Sequence, residues 1–391
     1  MSTARGALGV AVVGFGWMGE VHTRAHARLL HHYPAAPLAP RLVVAADPEQ
    51  RRRDHAVQSY GFESAVADWT EVVARPDVDV VSVCGPNFVH REIAVAAAKA
   101  GKHVWVEKPA GRNLADTLEI ADAVTAAGVM SSVGFNYRNA PAVEAARELV
   151  VSGQLGAVEA VSVEFLADYS AHPDGALSWR FDPEYAGTGV LGDLASHGFD
   201  LARHVAGEAT GQVVDLVADT ATFIPERPQA SGAVSHYATA SGGALGPVGN
   251  EDAAWALMRF ESGARGRLEA SRVAVGDQCR YRVEVRGTRG VVAWDFRRMQ
   301  ELQVCLGGDG YQDAAWETRF VGPGTGELAS FQPGAGMTMG YDDLKVVECE
   351  RLVRSIAEER PIGATIADAV VAARLIEAVV ASSAARTWVT V

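Results

Sequence analysis

The sequence predicts an α/β chain in two parts: a doubly wound parallel sheet, then an α+β half built on a mostly antiparallel or mixed sheet. Three observations predict this. Short apolar runs alternate with helical stretches as far as residue 135, a glycine triplet follows the first of those runs, and beyond residue 152 the runs succeed one another with few helices between them.

The first run, Leu8–Val13, is rich in β-branched residues, as a strand buried on both faces requires. It breaks at Gly14, and Gly14, Gly16 and Gly19 fall in the G-x-G-x-x-G spacing that opens a dinucleotide-binding helix. The first glycine permits a tight turn, the second lets the backbone approach a pyrophosphate, and the third lets helix and strand pack closely. Glycine triplets also occur in ordinary loops. Here the strand before and the helical stretch Trp17–Leu30 after supply the context of a phosphate site at a helix N-terminus.

Leu42–Ala46 is the next run and ends at Asp47-Pro48. An acid at this point can accept hydrogen bonds from the ribose hydroxyls and repel a 2′-phosphate, so NAD is expected over NADP. Asp47 lies further from the glycines than the usual ~20 residues, and a Pro-rich loop over His31–Pro40 accounts for the excess. Asp-Pro is also a turn initiator. Arg51, Arg52 and Arg53 could hold a 2′-phosphate instead, but read better as a solvated helix end. His22 and His26 are four apart on the first helix with no third ligand candidate near them, so they are read as structural.

Asp79–Cys84 is a third strand, stopped by Gly85-Pro86-Asn87. A helix over Phe88–Ala100 follows and closes at Gly101. The strand from His103 runs into Glu107-Lys108-Pro109. A lysine at a strand end of an open α/β sheet can stabilise a developing alkoxide beside a nicotinamide; a plain surface lysine is the competing reading. A helix (Leu114–Ala127) and a strand (Val129–Phe135) complete the pattern.

The chain of 391 residues is long enough for two cores, with the boundary expected at 139/140: 1–139 for the dinucleotide and 140–391 for substrate and self-association. A net charge of −13 argues against nucleic-acid or anionic-membrane partners. Four cysteines without CxxC spacing read as reduced thiols in a cytoplasmic protein. The Ala/Val-rich stretch Ile366–Ala385 carries Asp368, Arg374 and Glu377, and is an amphipathic rather than a membrane-spanning helix.

In the second half, after a helix over Pro141–Ser152, the expected strands are Val158–Leu166, Gln212–Phe223, Ala253–Phe260, Arg265–Val275 and Arg280–Arg286. The last puts Tyr281, Val283 and Val285 on one face and charged residues on the other. Pro228–Asn250, rich in Gly, Ala and Ser, reads as a mobile surface insert. Between strands lies Gly187-Thr-Gly-Val-Leu-Gly-Asp193-Leu-Ala-Ser-His197. Here Asp193 would start a helix running to about Ala206, with His197 four residues on and on the same face. An imidazole of ordinary pKa, ~6.5, takes a hydroxyl proton at neutral pH. A purely structural Asp–His pair fits the residues equally.

Gly14-Phe-Gly-Trp-Met-Gly-Glu-Val-His22, Gly85-Pro-Asn87, Ala100-Gly-Lys-His-Val-Trp-Val-Glu-Lys-Pro109 and Val133-Gly-Phe-Asn-Tyr-Arg138 resemble the consecutive motifs of the Gfo/Idh/MocA oxidoreductases. One departure is Gly85 where threonine is commoner. The resemblance extends over nearly the whole chain. It implies an N-terminal Rossmann domain and a C-terminal α+β domain whose open-faced sheet carries helices on one side and a subunit contact, in a homo-dimer or homo-tetramer, on the other. It assigns Lys108, Asp193 and His197 to a Lys/Asp/His catalytic set, and matches Trp179-Arg180 to a pair near the nicotinamide or substrate.

The expected NAD-binding set is then Gly14, Phe15, Gly16, Trp17, Met18, Asp47, Pro86, Asn87, His90, Glu107, Lys108, Trp179 and Arg180. Tyr137 and Asp168 are candidates for substrate hydroxyls, against a core aromatic and an exposed acid. The implied reaction is oxidation of a secondary hydroxyl of a sugar or cyclitol: His197 is the base, Lys108 the alkoxide stabiliser, Asp193 orients His197 or the polyol, and no metal is needed. An NAD-dependent glycoside hydrolase and a non-catalytic NAD-binding sugar sensor are the other functions the family contains.

Overall fold

The computed structural model describes residues 6–229, 238–240, 243–307 and 311–391. These form two compact units: Met1–Asn136 with Met339–Val371, and Tyr137–Thr338 with Ala372–Val391. The expectation that everything after residue 139 belongs to the second domain therefore differs from the structure, because residues 339–371 return to the first unit.

In the first unit, β1 (Gly6–Val13), α1 (Trp17–His32), β2 (Leu38–Ala46), α2 (Gln50–Tyr60), β3 (Ser64–Val66), α3 (Thr70–Val73), β4 (Val80–Val83), α4 (Asn87–Lys99), β5 (His103–Val106), α5 (Leu114–Ala127) and β6 (Ser131–Val133) follow in order. Among the described residues the sheet has the order β3-β2-β1-β4-β5-β6, with every pairing parallel. The strand order reverses between β1 and β4, where Val13 is in register with Val83. The turns that follow these two strands, at Gly14 and at Gly85, are therefore neighbours at the switch point where open α/β sheets bind ligands.

The expected loop over His31–Pro40 is shorter than the sequence suggests: α1 runs to His32 and β2 starts at Leu38. Pro40 is tolerated because β3 pairs with only Val44–Ala46, leaving the first part of β2 flanked by β1 alone among the described residues.

The second unit opens with α6 (Pro141–Val151), β7 (Val158–Leu166), α7 (Pro183–Ala186), a π-helical turn (Leu191–Ala195) and α8 (Ser196–Thr210). Then come β8 (Val213–Ala221), β9 (Glu226–Pro228), β10 (Leu245–Pro247), β11 (Ala253–Phe260), β12 (Arg265–Ser271), β13 (Arg280–Gly287), β14 (Gly290–Asp295), β15 (Glu301–Leu306) and β16 (Glu317–Phe320). The chain returns through the first unit as α9 (Tyr341–Glu358). Helix α10 (Ile366–Ala385) begins there and leads back to the second unit, which ends with β17 (Val389–Thr390).

Among the described residues the large sheet has nine strands in the order β16-β15-β14-β13-β7-β12-β11-β8-β17. β7 and β12 run parallel and their neighbours antiparallel, which makes the sheet mostly antiparallel. Tyr281, Val283 and Val285 are buried as the alternation of β13 requires. α8 packs on β7 and β12 so closely that a Cβ at Gly198 would lie 2.9 Å from Leu268. On the opposite face Trp255 and Leu257 of β11 are exposed.

The insert expected to be mobile falls partly on residues 230–237 and 241–242, outside the described residues; β9 and β10 pair antiparallel at its ends. All four cysteines are free thiols. Among the described residues no helix is long and apolar enough to cross a membrane.

Candidate active site

In the first unit the glycines behave as their spacing predicts. Gly14 has φ +88°, and a Cβ there would lie 2.5 Å from the Gly85 nitrogen, so only glycine lets the two turns approach. A Cβ at Gly19 would lie 2.2 Å from the Gly14 carbonyl oxygen, the close helix–strand contact expected of the third glycine. Gly16 caps α1 without a side-chain hydrogen bond, and a Cβ there would meet nothing nearer than the Arg52 guanidinium at 3.9 Å. A helix N-terminus with bare N–H groups and open space before it fits the pyrophosphate of a dinucleotide.

Around this turn the expected contacts divide. Trp17 is exposed and stacks on Tyr341 at 5.5 Å, and the Tyr341 hydroxyl lies 3.8 Å from the Met18 sulfur. Phe15 turns its ring into the core against Tyr60 and Phe62, so its side chain is not placed as a cofactor contact. Its N–H instead donates to Asp47 Oδ2 at 2.8 Å. Asp47 is 3% exposed; its other oxygen accepts the Glu49 N–H at 2.9 Å, and Arg52 approaches Oδ2 at 3.3 Å. The carboxylate thus shapes the glycine loop as well as marking the end of β2. The arginine run is spent locally: Arg51 and Arg52 pair with Glu49, and Arg53 donates to the carbonyls of Asp47 and Pro48.

Pro86 caps α4 and Asn87 begins it. His90, expected as a cofactor residue, is 1% exposed. Its Nδ1 faces the Pro109 carbonyl at 2.9 Å and its Nε2 the Gly85 carbonyl at 2.7 Å. Burial lowers its pKa. The ring ties the turn after β4 to the segment after β5, which is a support for the site rather than a contact within it.

Glu107 is likewise a buried anchor. Its Oε1 bonds His22 Nε2 at 2.8 Å and Lys345 Nζ at 2.5 Å, and its Oε2 accepts the Lys108 N–H at 3.2 Å. Lys345 also reaches Glu348 Oε1 at 2.9 Å, which takes the Trp105 indole N–H at 2.6 Å. Burial would raise the Glu107 pKa, but Lys345 and His22 hold it well below the ordinary range. Burial pushes Glu348 up to about 7 and His22 down to about 4.

The sequence reading found no further ligand near His22. The structure puts Glu107 and Glu348 there, with ligand atoms of all three within 4.8 Å of one another. The Lys345 ammonium, bonded to both carboxylates, stands where a cation would sit. Glycine at 134 makes room: a Cβ there would lie 2.5 Å from the Glu107 carboxylate. Lys108 follows at the end of this anchor, half-buried.

In the second unit Asp193 lies in the π-helical turn and His197 at the start of α8, so the expected continuous α-helix is widened by one π turn at the acid. The turn is capped from outside by Glu251, whose Oε1 accepts the N–H of Gly189 at 2.8 Å and of Leu191 at 2.9 Å. Burial raises the Glu251 pKa in spite of these bonds. The adjoining Asp252 pairs with buried Arg272 at 2.9 Å. Asn250 accepts from Arg272 at 2.9 Å and donates to the Arg180 carbonyl at 2.8 Å. The three residues Asn250–Asp252 thereby hold both the Trp179-Arg180 segment and the Asp193 turn. Arg180 stacks on the Trp179 ring at 4.5 Å.

His197 is 5% exposed, and its carbonyl accepts the Tyr281 hydroxyl at 2.5 Å. Tyr137 is a core aromatic, edge-on to His197 at 4.8 Å, to Tyr281 at 4.9 Å and to Phe296 at 4.9 Å. Asp168 is half-buried on the loop after β7. Its neighbour Tyr169, missed in the sequence, donates its hydroxyl to Asp193 Oδ2 at 2.5 Å. Nothing in its spacing signals that contact.

Residues 8–135 match the family model described as "Oxidoreductase family, NAD-binding Rossmann fold", and residues 143–293 match the GFO/IDH/MocA C-terminal domain. The chain is 35% identical to levoglucosan dehydrogenase of Pseudarthrobacter phenanthrenivorans over 386 residues, 98% of each chain. It is 30% identical to myo-inositol 2-dehydrogenase of Thermotoga maritima over 299 residues, 76% of this chain and 77% of the relative. A solved levoglucosan dehydrogenase in complex with NADH and levoglucosan superposes with a TM-score of 0.91 at 34% identity, covering 98% of this chain and 99% of that one. With both domain models matched and a relative aligned end to end, the chain belongs to the Gfo/Idh/MocA family of NAD-dependent oxidoreductases.

Proposed function

We propose that this enzyme oxidises a secondary hydroxyl of a sugar or cyclitol, with an anhydrosugar of the levoglucosan type as the first substrate to try. NAD, when bound, accepts the hydride at its nicotinamide ring. The N-terminus of α1 at Gly16 would hold its pyrophosphate. The His197 imidazole takes the hydroxyl proton and the Lys108 ammonium stabilises the alkoxide that remains. Asp193 orients the imidazole or binds a neighbouring hydroxyl.

The observation that carries this reading is the end-to-end likeness, over 98% of both chains, to a levoglucosan dehydrogenase. Together with it, Lys108, Asp193 and His197 each sit on a buried support. The same reading makes the enzyme a cytoplasmic homo-dimer or homo-tetramer. Free cysteines support the compartment, and Trp255 and Leu257, exposed on the open face of the nine-stranded sheet, support association through that face.

The test is a panel of levoglucosan, myo- and scyllo-inositol, free hexoses and simple glycosides, each assayed with NAD by nicotinamide absorbance and by product analysis. NADH accumulating in step with a ketone from a free polyol or anhydrosugar supports the proposal. Aglycone released from a glycoside without net NADH would replace it with the redox-neutral hydrolase. Tight NAD and sugar binding without turnover of any compound would favour the sensor.

A further inference from the structure

Asp193 is held by a residue that the expected catalytic set does not contain. Tyr169 lies on the loop after β7 and donates its hydroxyl to Asp193 Oδ2 at 2.5 Å, in the range of charge-assisted O–H···O⁻ bonds. The carboxylate sits in a π-helical turn whose backbone is fixed separately by Glu251. The phenol therefore acts on the Asp193 side chain and Glu251 on its main chain.

The charges around the pair sharpen its character. Arg272 and Arg180 attract the phenolate form, and Arg272 is neutralised by Asp252 at 2.9 Å. Burial and the Asp193 charge outweigh those cations, so the phenol pKa is pushed well above its ordinary value. The tyrosine therefore keeps its proton and donates it in a hydrogen bond to the carboxylate. The bond also restricts the rotation of a side chain that otherwise has a broad torsion.

We propose that Tyr169 is a positioning residue that holds the Asp193 carboxylate aimed for the reaction. The inference rests on the proposed role of Asp193. It adds that the phenol serves the reaction through this carboxylate.

Steady-state kinetics of Tyr169→Phe, Asp193→Ala and the double variant test it, using the substrate found in the panel. Tyr169→Phe keeps the ring and its packing. We expect kcat/KM for the sugar to fall about tenfold or more, the scale of one hydrogen bond to a charged group, while KM for NAD stays at the native value. In the Asp193→Ala background the same change should have no further effect, because the partner it acts through is gone. Native kinetics in Tyr169→Phe, or losses that multiply in the double variant, would overturn the inference and leave the proposed function standing. Native turnover by Asp193→Ala would instead sink the role of Asp193, and with it the role of Tyr169.

Discussion

Lys108 and His197 reach their places through different kinds of support. The residue before Lys108 is anchored by full charges: Glu107 is bonded to Lys345, 238 positions away in sequence, inside a buried cluster with His22, Glu348 and Trp105. The Asp193–His197 turn is held directly by single hydrogen bonds, Glu251 to backbone N–H, Tyr169 to the carboxylate and Tyr281 to the His197 carbonyl, with the buried Asp252–Arg272 pair one residue behind Glu251. A buried ion cluster is rigid but fails badly when one member is removed, because the remaining charge is left unpaired. A hydrogen-bonded turn loses less per contact and can be adjusted one contact at a time.

The difference predicts unequal damage. Lys345→Met leaves Glu107 and Glu348 buried without their cation and should cost about 3–5 kcal/mol, the scale for breaking a buried pair. The double change Glu107→Gln with Lys345→Met should recover much of that loss. Urea denaturation of both variants checks this, and equal stability of the two would mean that the cluster is not the anchor inferred here. Glu251→Ala, which strips two N–H groups of their acceptor, should cost a smaller amount, about 1–3 kcal/mol. If it proved as damaging as Lys345→Met, the contrast between the units would collapse.

A third effect, of a size comparable to the loss of Glu251, is a pH dependence. The Glu348 pKa is raised in the folded chain from its ordinary value of 4.5 to about 7. A raised acid binds its proton more tightly when folded, so its contribution to stability is present below 4.5 and lost as pH rises towards 7. His22, lowered to about 4, acts in the opposite sense over the acid range, so the native curve alone mixes the two. Glu348→Gln isolates the first: relative to native, it should gain stability as pH is raised from 5 to 8. A difference that stays flat with pH would place the Glu348 proton elsewhere.

How far the sequence carried depended on where each signal was written. The glycine loop and the Asp193–His197 spacing are local, and both appear in the structure, the second with a π turn in place of plain α-helix. Helix α2 was barely legible because it is almost wholly polar, with only Ala56 buried, so no apolar face marks it. The three-residue β3 is too short for any period. Lys345 carries no signal in the sequence, because only the fold brings Glu107 to it. Tyr169 stood beside a residue that was considered, Asp168, but only the return of the chain at Leu191–Ala195 reveals which of the two meets Asp193. Phe15, His90 and Glu107 lie in cofactor motifs and were expected to touch NAD. Their side chains are buried in the framework around the site.

The proposed mechanism assigns one oxidation step to Lys108 and His197 together. Its most direct test is the rate of NADH formation in a single turnover by Lys108→Ala and His197→Ala, with NADH binding measured on the same preparations. The proposed mechanism predicts that both variants still bind NADH and slow the step by roughly 10²–10⁴, the usual range for a positioned acid or base. A near-native rate in either variant, with cofactor binding intact, would contradict it.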